Sequence, residues 1–264
     1  MRRRFFVERF ESATAVLHGE AAHHLARVLR AEPGQLYELS DGESVWLART
    51  QNIGRDAVGF ALMERLPVQL PPLHIALLLA IVKFDRFEWA IEKATELGAD
   101  EIVPLAAERS EKGLVVASAK RAARWKKILL ESAQQSRRLR VPVLCDAAKP
   151  RDAFRTEKSQ VRLLLSERAG AKPMRELLEP SPPGGQDTAT ANLAIAIGPE
   201  GGWTDAEISV ASEYGFAEAA LGINILRTET AVCAALAAAQ YAFGAFRRTD
   251  DLESPRSKGG VGTP

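Results

Sequence analysis

Cysteine is scarce in this 264-residue chain, which has only Cys145 and Cys233. Two thiols outside any CxxC pair cannot build a disulfide framework, and they read as small core residues of a protein kept in the reducing cytoplasm. Histidine is equally thin: His18, His23, His24 and His74 show no spacing that would ligate a metal. No apolar run approaches the roughly 20 residues needed to span a bilayer. The basic start Met1-Arg2-Arg3-Arg4-Phe5-Phe6 leads into no long apolar stretch and no small-residue cleavage site. The expectation is therefore a cytoplasmic protein with no membrane association. An excess of one charge is also missing, since the net charge is +1. Neither a GxxxxGK[ST] phosphate loop nor a GxGxxG dinucleotide turn occurs, which argues against a nucleotide hydrolase and a dehydrogenase.

What is present is an ordinary globular composition, 46% hydrophobic and 26% charged, in a chain long enough for one large or two smaller cores. Short alternating segments at 35–39 and 44–48 lie between the turn pairs Pro33-Gly34 and Asp41-Gly42, which predicts strands. One helix over 21–29 interrupts them, with Arg27 and Arg30 on or beside it. Pro67 and Pro71-Pro72 mark a linker. Beyond it the rhythm changes. Strands are expected at 74–82, 101–105, 141–145, 161–165, 193–197 and 219–221, and helices at 84–97, 119–135, 204–214 and 229–245, with Gly98 as a helix stop. Strand and helix in alternation predict an α/β fold: a parallel sheet with helices on both faces. Residues 180–192 read as a surface loop, and 249–264 as a disordered tail. Between 108 and 149, eleven Lys and Arg face four Asp and Glu, enough for a basic face that could meet phosphates.

Two segments carry the chemistry. In Ile197-Gly198-Pro199-Glu200-Gly201-Gly202-Trp203-Thr204-Asp205-Ala206-Glu207-Ile208, an apolar strand ends in a glycine-rich turn and enters a helix. Thr204 and Glu207 have capping-box spacing, and Trp203 with Ile208 fits the hydrophobic staple. The glycines let backbone approach a ligand. Glu200 would repel a phosphate, so a ligand with a positive centre fits better. In Leu221-Gly222-Ile223-Asn224-Ile225-Leu226-Arg227-Thr228-Glu229, a second strand meets an irregular stretch and a helix capped by Thr228 or its neighbour. Arg227 is the outlier, a charge set between an apolar turn and an Ala-rich helix; a surface ion pair with Glu229 or a neighbouring acid is its simplest alternative role.

Together, IGPEGGWTDAEI and LGINILRTETA resemble the paired hallmark segments of the RsmE family, 16S rRNA uridine-N3 methyltransferases of the SPOUT superfamily. HHLARVLR, KATELGADEIVPLAAERSEKG and RWKKILLESAQQSRRLRVP extend the resemblance over residues 5–246. It implies a small N-terminal PUA-like RNA-binding β-barrel over 1–70 and a SPOUT methyltransferase domain over 73–248, closed by a deep trefoil knot. It also implies a homodimer acting on 16S rRNA or the small ribosomal subunit, at uridine position 1498 in standard rRNA numbering. The implied cofactor is S-adenosyl-L-methionine, leaving S-adenosyl-L-homocysteine, with no metal. Its implied site comprises Leu165, Ile197, Gly198, Pro199, Glu200, Gly201, Gly202, Leu221, Gly222, Ile225, Leu226 and Thr228. Arg227 and Glu229 are the expected catalytic pair, and Arg3, Arg4, Arg27, Arg30, Arg109, Arg137 and Arg138 the expected RNA contacts. Leu163-Leu164-Leu165-Ser166-Glu167-Arg168 matches a variable region of the family that borders the cofactor. Ile223-Asn224 stands where Pro-Arg is usual. A non-catalytic ribosome-assembly factor and a ribose 2′-O-methyltransferase of the same fold are the rival readings.

Overall fold

The computed structural model describes residues 3–68, 70–178 and 190–243. Strands β1 (Arg4–Phe6) and β2 (Thr14–His18) come first, the second alternating exposed and buried residues as a half-buried strand must. A short helix α1 (Gly19–His23) runs into a π-helical turn at His24–Val28, in place of the single helix expected over 21–29. Strands β3 (Leu36–Ser40), β4 (Val45–Ile53) and β5 (Ala57–Leu66) complete a five-stranded sheet in the order β1-β3-β4-β5-β2. β1 runs parallel to β3, while the other neighbours are antiparallel. No pairing among the described residues joins β1 to β2. The β3–β4 turn follows from its residues: Asp41 accepts from the Glu43 and Ser44 amides, and Gly42 takes φ +89°. Phe5, Leu17, Leu25, Leu39, Val58 and Phe60 form the core of this part.

The second part runs β6 (Leu73–Ala80), α2 (Phe84–Glu96), β7 (Ala99–Leu105), α3 (Lys112–Gln135), β8 (Val143–Leu144), α4 (Pro150–Thr156), β9 (Val161–Leu165), β10 (Lys172–Pro173) and α5 (Met174–Leu177). It ends with β11 (Ala191–Ile197), α6 (Asp205–Glu213), β12 (Ala217–Ala220) and α7 (Thr228–Ala242). All seven strands are parallel, in the order β10-β12-β9-β11-β6-β7-β8. Alternation divides each central strand between two cores. Leu193, Ile195 and Ile197 of β11 meet α2, α3 and α7, while Ala194 and Ala196 face α4 and α6 with Phe154 and Ile208. Helices on both faces are as expected.

Three local expectations change. The helix expected over 119–135 begins at Lys112, because Leu114 and Val115 pack against the core and override the weak helix propensity of Gly113 and two valines. The strand expected over 141–145 shrinks to two edge residues. Helices α4 and α5 and the two-residue strand β10 are unexpected elements, α4 being started by Pro150 in its first turn. The tail at 249–264, most of the 180–192 loop and the end of the last helix lie outside the described residues.

The two sheets are tied together just beyond α3. Arg137 takes the left-handed conformation at φ +55°, and the Arg138 amide then donates back to the Ala133 carbonyl. Arg4 donates to the Arg137 carbonyl at 2.5 Å, Ser40 to Leu139 at 2.7 Å, and Arg140 to the Gly42 carbonyl at 2.5 Å. Lys127 adds a 2.6 Å ion pair to Glu20.

Candidate active site

Three strand ends converge where β9, β11 and β12 lie side by side, the crevice beyond the carboxyl ends of parallel strands that ligands favour. They enclose a cavity of about 330 Å³. The glycine-rich turn after β11 is held by its own helix. Thr204 accepts from the Glu207 amide and the Glu207 carboxylate accepts from the Thr204 amide, so the anticipated capping box is present. Trp203 and Ile208 are buried in the same cluster, as a staple requires.

Side chains from elsewhere then fix the turn. The Trp203 indole donates to the Leu165 carbonyl at 3.0 Å, and a Cβ on Gly198 would lie 3.0 Å from that ring. Only glycine lets Trp203 pack there. Gly202 takes φ +69°, a left-handed conformation that disfavours other residues. Arg109 Nη1 donates to the Gly201 carbonyl at 2.6 Å and to that of Trp203 at 3.3 Å. Arg86 of α2 pairs with Glu200 at 2.9 Å. The Glu108 amide donates to Glu207 Oε1 at 2.9 Å, so the segment after β7 is joined to the turn twice.

The second segment meets the first through Thr228. This residue does not cap α7; Arg227 occupies the N-cap position, and the Thr228 hydroxyl donates to the Gly198 carbonyl at 3.2 Å. Of the residues expected to hold the cofactor, Leu165, Ile197, Gly198, Pro199, Glu200, Gly202, Leu221, Gly222, Ile225, Leu226 and Thr228 line the cavity. Gly201 does not line it; a Cβ there would sit 3.4 Å from the Arg109 side chain. Arg227 and Glu229 stand outside the lining. Arg227 is exposed and, among the described residues, has no hydrogen bond or ion pair, which sets aside the pairing with Glu229. Glu229 is half-buried, with its Oε2 buried and unpartnered. Arg109, Ser166, Glu167, Arg168 and Asp205 also line the cavity. The stretch 166–168 was marked by the family resemblance as bordering the cofactor; nothing local marked Arg109 as part of this site.

The expected RNA contacts divide. Arg3, Arg27 and Arg30 are exposed. Arg138 is turned inward: its side chain is 13% exposed, pairs with Asp100 and donates to the Thr95 and Ala99 carbonyls. Burial pulls its pKa down, partly offset by Asp100. Arg4 is inward as well, 14% exposed and paired with Glu38 at 2.9 Å. Arg137 reaches the same Glu38 at 3.5 Å. Arg109 is exposed, lines the cavity and spends Nη1 on the glycine-rich turn. Arg4 and Arg138 instead satisfy carboxylates and carbonyls inside the fold that would otherwise be unpaired.

Residues 69–240 match the family model described as an RNA methyltransferase domain. The chain is 35% identical over 236 residues to ribosomal RNA small subunit methyltransferase E of Synechocystis sp., covering 87% of this chain and 74% of that protein. It is 32% identical to the protein of the same name from Bacillus subtilis, covering 88% and 91%. Among solved structures, a Legionella pneumophila methyltransferase in complex with bound SAM superposes with a TM-score of 0.80 at 30% identity, covering 92% of this chain and 98% of that one. Ribosomal RNA small subunit methyltransferase E from Neisseria gonorrhoeae, bound to S-adenosyl methionine, gives 0.77 at 31% identity, with 91% and 98% covered.

Proposed function

The chain belongs to the RNA methyltransferase family, in the RsmE group of small-subunit ribosomal RNA methyltransferases, and from that premise we propose that it methylates N3 of a uridine in 16S rRNA with S-adenosylmethionine as donor. The single observation that carries the reading is the cavity itself, built where both hallmark segments meet. Its volume suits a nucleoside-sized ligand. Ile197, Leu221, Ile225 and Leu226 offer an apolar wall for a base, and Gly202 leaves the space that a Cβ would fill between Glu167 and Arg109. When bound, the donor supplies an electrophilic methyl group on a sulfonium.

The chain's own work is alignment, a contribution of roughly 7–11 kcal/mol when reacting atoms are held in line. Uracil N3 carries a proton that must leave before N3 can attack. Arg227, uncommitted at the start of α7, steadies the negative charge that spreads to the uracil oxygens. Glu229, in the first turn of the same helix, accepts or relays the proton; Glu200 is held by Arg86. The finer architecture belongs to the same reading: a PUA-like RNA-binding unit over 1–70, a knotted SPOUT unit over 73–248, and a homodimer. Ile223, Ile225 and Tyr241 are large apolar residues left exposed, the surface a second copy would cover. Arg3, Arg27 and Arg30 supply RNA contacts.

The test is methylation of rRNA from a strain lacking the gene, by the purified full-length protein, followed by nuclease digestion and mass spectrometry. N3-methyluridine at one site is the expected product. Methyl on ribose would move the reading to the 2′-O class, and no transfer at all would leave an RNA-binding assembly factor.

A further inference from the structure

The polar end of the cavity holds two opposite charges that do not pair with each other. Glu167 follows β9 and Arg109 follows β7. From the position a Cβ would take on Gly202, Glu167 Oε1 lies 3.4 Å away and Arg109 Nη1 4.0 Å away. Among the described residues no ion pair links the two, and the Glu167 carboxylate has no partner. The other acids in the lining are taken: Glu200 by Arg86 and Asp205 by Arg168 at 3.4 Å. Arg109 spends Nη1 on the turn carbonyls, which leaves Nη2 and Nε without a bond among the described residues. Leu221, Ile225 and Leu226 add apolar lining.

A carboxylate without a partner and a guanidinium that keeps Nη2 and Nε free, both lining the cavity beside Gly202, match a ligand group that carries both charges. We propose that Glu167 and Arg109 recognise the zwitterionic amino-acid end of the methyl donor, Glu167 facing its ammonium and Arg109 its carboxylate. The inference rests on the reading of the cavity as the donor site. It gives Gly202 a reason beyond its φ, because any side chain there would stand between the two charges. It also gives Arg109 two tasks, holding the turn and binding the ligand it shapes.

The test is calorimetric binding by the intact protein of three analogues with neutral sulfur: adenosylhomocysteine, its decarboxylated form, and 5′-methylthioadenosine, which lacks the amino-acid end. Wild type binds adenosylhomocysteine most tightly. Glu167→Gln should weaken adenosylhomocysteine by about 10- to 150-fold, the worth of one charge-assisted hydrogen bond, and leave methylthioadenosine within about 2-fold. Folding is not at stake, since Glu167 touches no internal partner. Arg109→Gln loosens the turn and weakens every ligand, so its signature is a difference: it should erase the preference for adenosylhomocysteine over the decarboxylated form. Equal weakening of adenosylhomocysteine and methylthioadenosine by Glu167→Gln, or no change in either, would overturn the proposal. Wild type that binds none of the three would instead overturn the donor site itself.

Discussion

Arg227 follows an apolar turn and Arg138 lies in a basic run, and the structure gives the two arginines opposite fates. Arg227 is exposed and uncommitted, so Arg227→Ala should leave folding and donor binding intact. If it steadies charge on the uracil, turnover should fall by roughly 10- to 150-fold, the equivalent of about 1.5–3 kcal/mol. Unchanged turnover at saturating substrates would remove it from the mechanism. Arg138→Ala should be a stability variant. It removes the ion-pair partner of Asp100, which keeps only the Ile75 amide, and the donors to two backbone carbonyls, at a cost of about 3 kcal/mol visible in urea unfolding. A variant of wild-type stability that bound RNA more weakly would restore the surface role. Cys145 makes a pH prediction. Burial, then its hydrogen bond to Glu101, pushes its thiol up to about 12 from 9.0. Between those values the unfolded chain gives up a proton that the folded chain keeps, so stability falls as pH rises. The urea midpoint of wild type should therefore drop more between about pH 8 and about pH 10 than that of Cys145→Ala.

At the scale of elements, the start of α6 is where local sequence and the site coincide. Its capping box satisfies backbone donors at the helix start, and the Thr204 hydroxyl lies 3.0 Å from Glu108 Oε2, across from the segment that carries Arg109. Thr204→Ala should cost about 1 kcal/mol in denaturant unfolding. Adenosylhomocysteine should also bind several-fold more weakly, because the turn preceding the helix loses its anchor. Lost stability with unchanged binding would show that the turn is held without the cap. Both segments were legible because S/T-x-x-E spacing and glycine clusters act over a few residues. The start of α7 was less so. Thr228 has the chemistry of a cap, yet its hydroxyl is claimed by Gly198, thirty positions away in the chain.

For the whole molecule, the two sheets are joined through the 137–140 segment, with the Lys127–Glu20 pair beside it. Ser40→Ala combined with Arg140→Ala removes two of those hydrogen bonds without touching the cavity. Limited proteolysis between β5 and β6 should become several-fold faster, while adenosylhomocysteine binding stays unchanged. Equal cleavage rates would mean that Arg4, Arg137 and Lys127 hold the sheets unaided. The association of two chains belongs to this scale as well. Sedimentation at micromolar concentration should give twice the chain mass, and a monomer there would leave Ile223 and Tyr241 without the cover proposed for them.

Periodicity of two and of 3.6 residues, glycine at turns and capping spacing are local properties, and they were enough to predict the alternating strands and helices, the parallel sheet and both cavity-forming segments. What each arginine does is not local. Arg109, Arg137 and Arg138 belong to one basic stretch, and as sequence they read alike as a face for phosphates. Tertiary structure separates them, because a guanidinium goes where unpaired carbonyls and carboxylates demand donors, and those are set by strands distant in the chain: Gly201 and Trp203 for Arg109, Glu38 for Arg137, Asp100 for Arg138. The meeting of Glu167 and Arg109 arises in the same way, from two strand ends that only the folded sheet brings to one cavity.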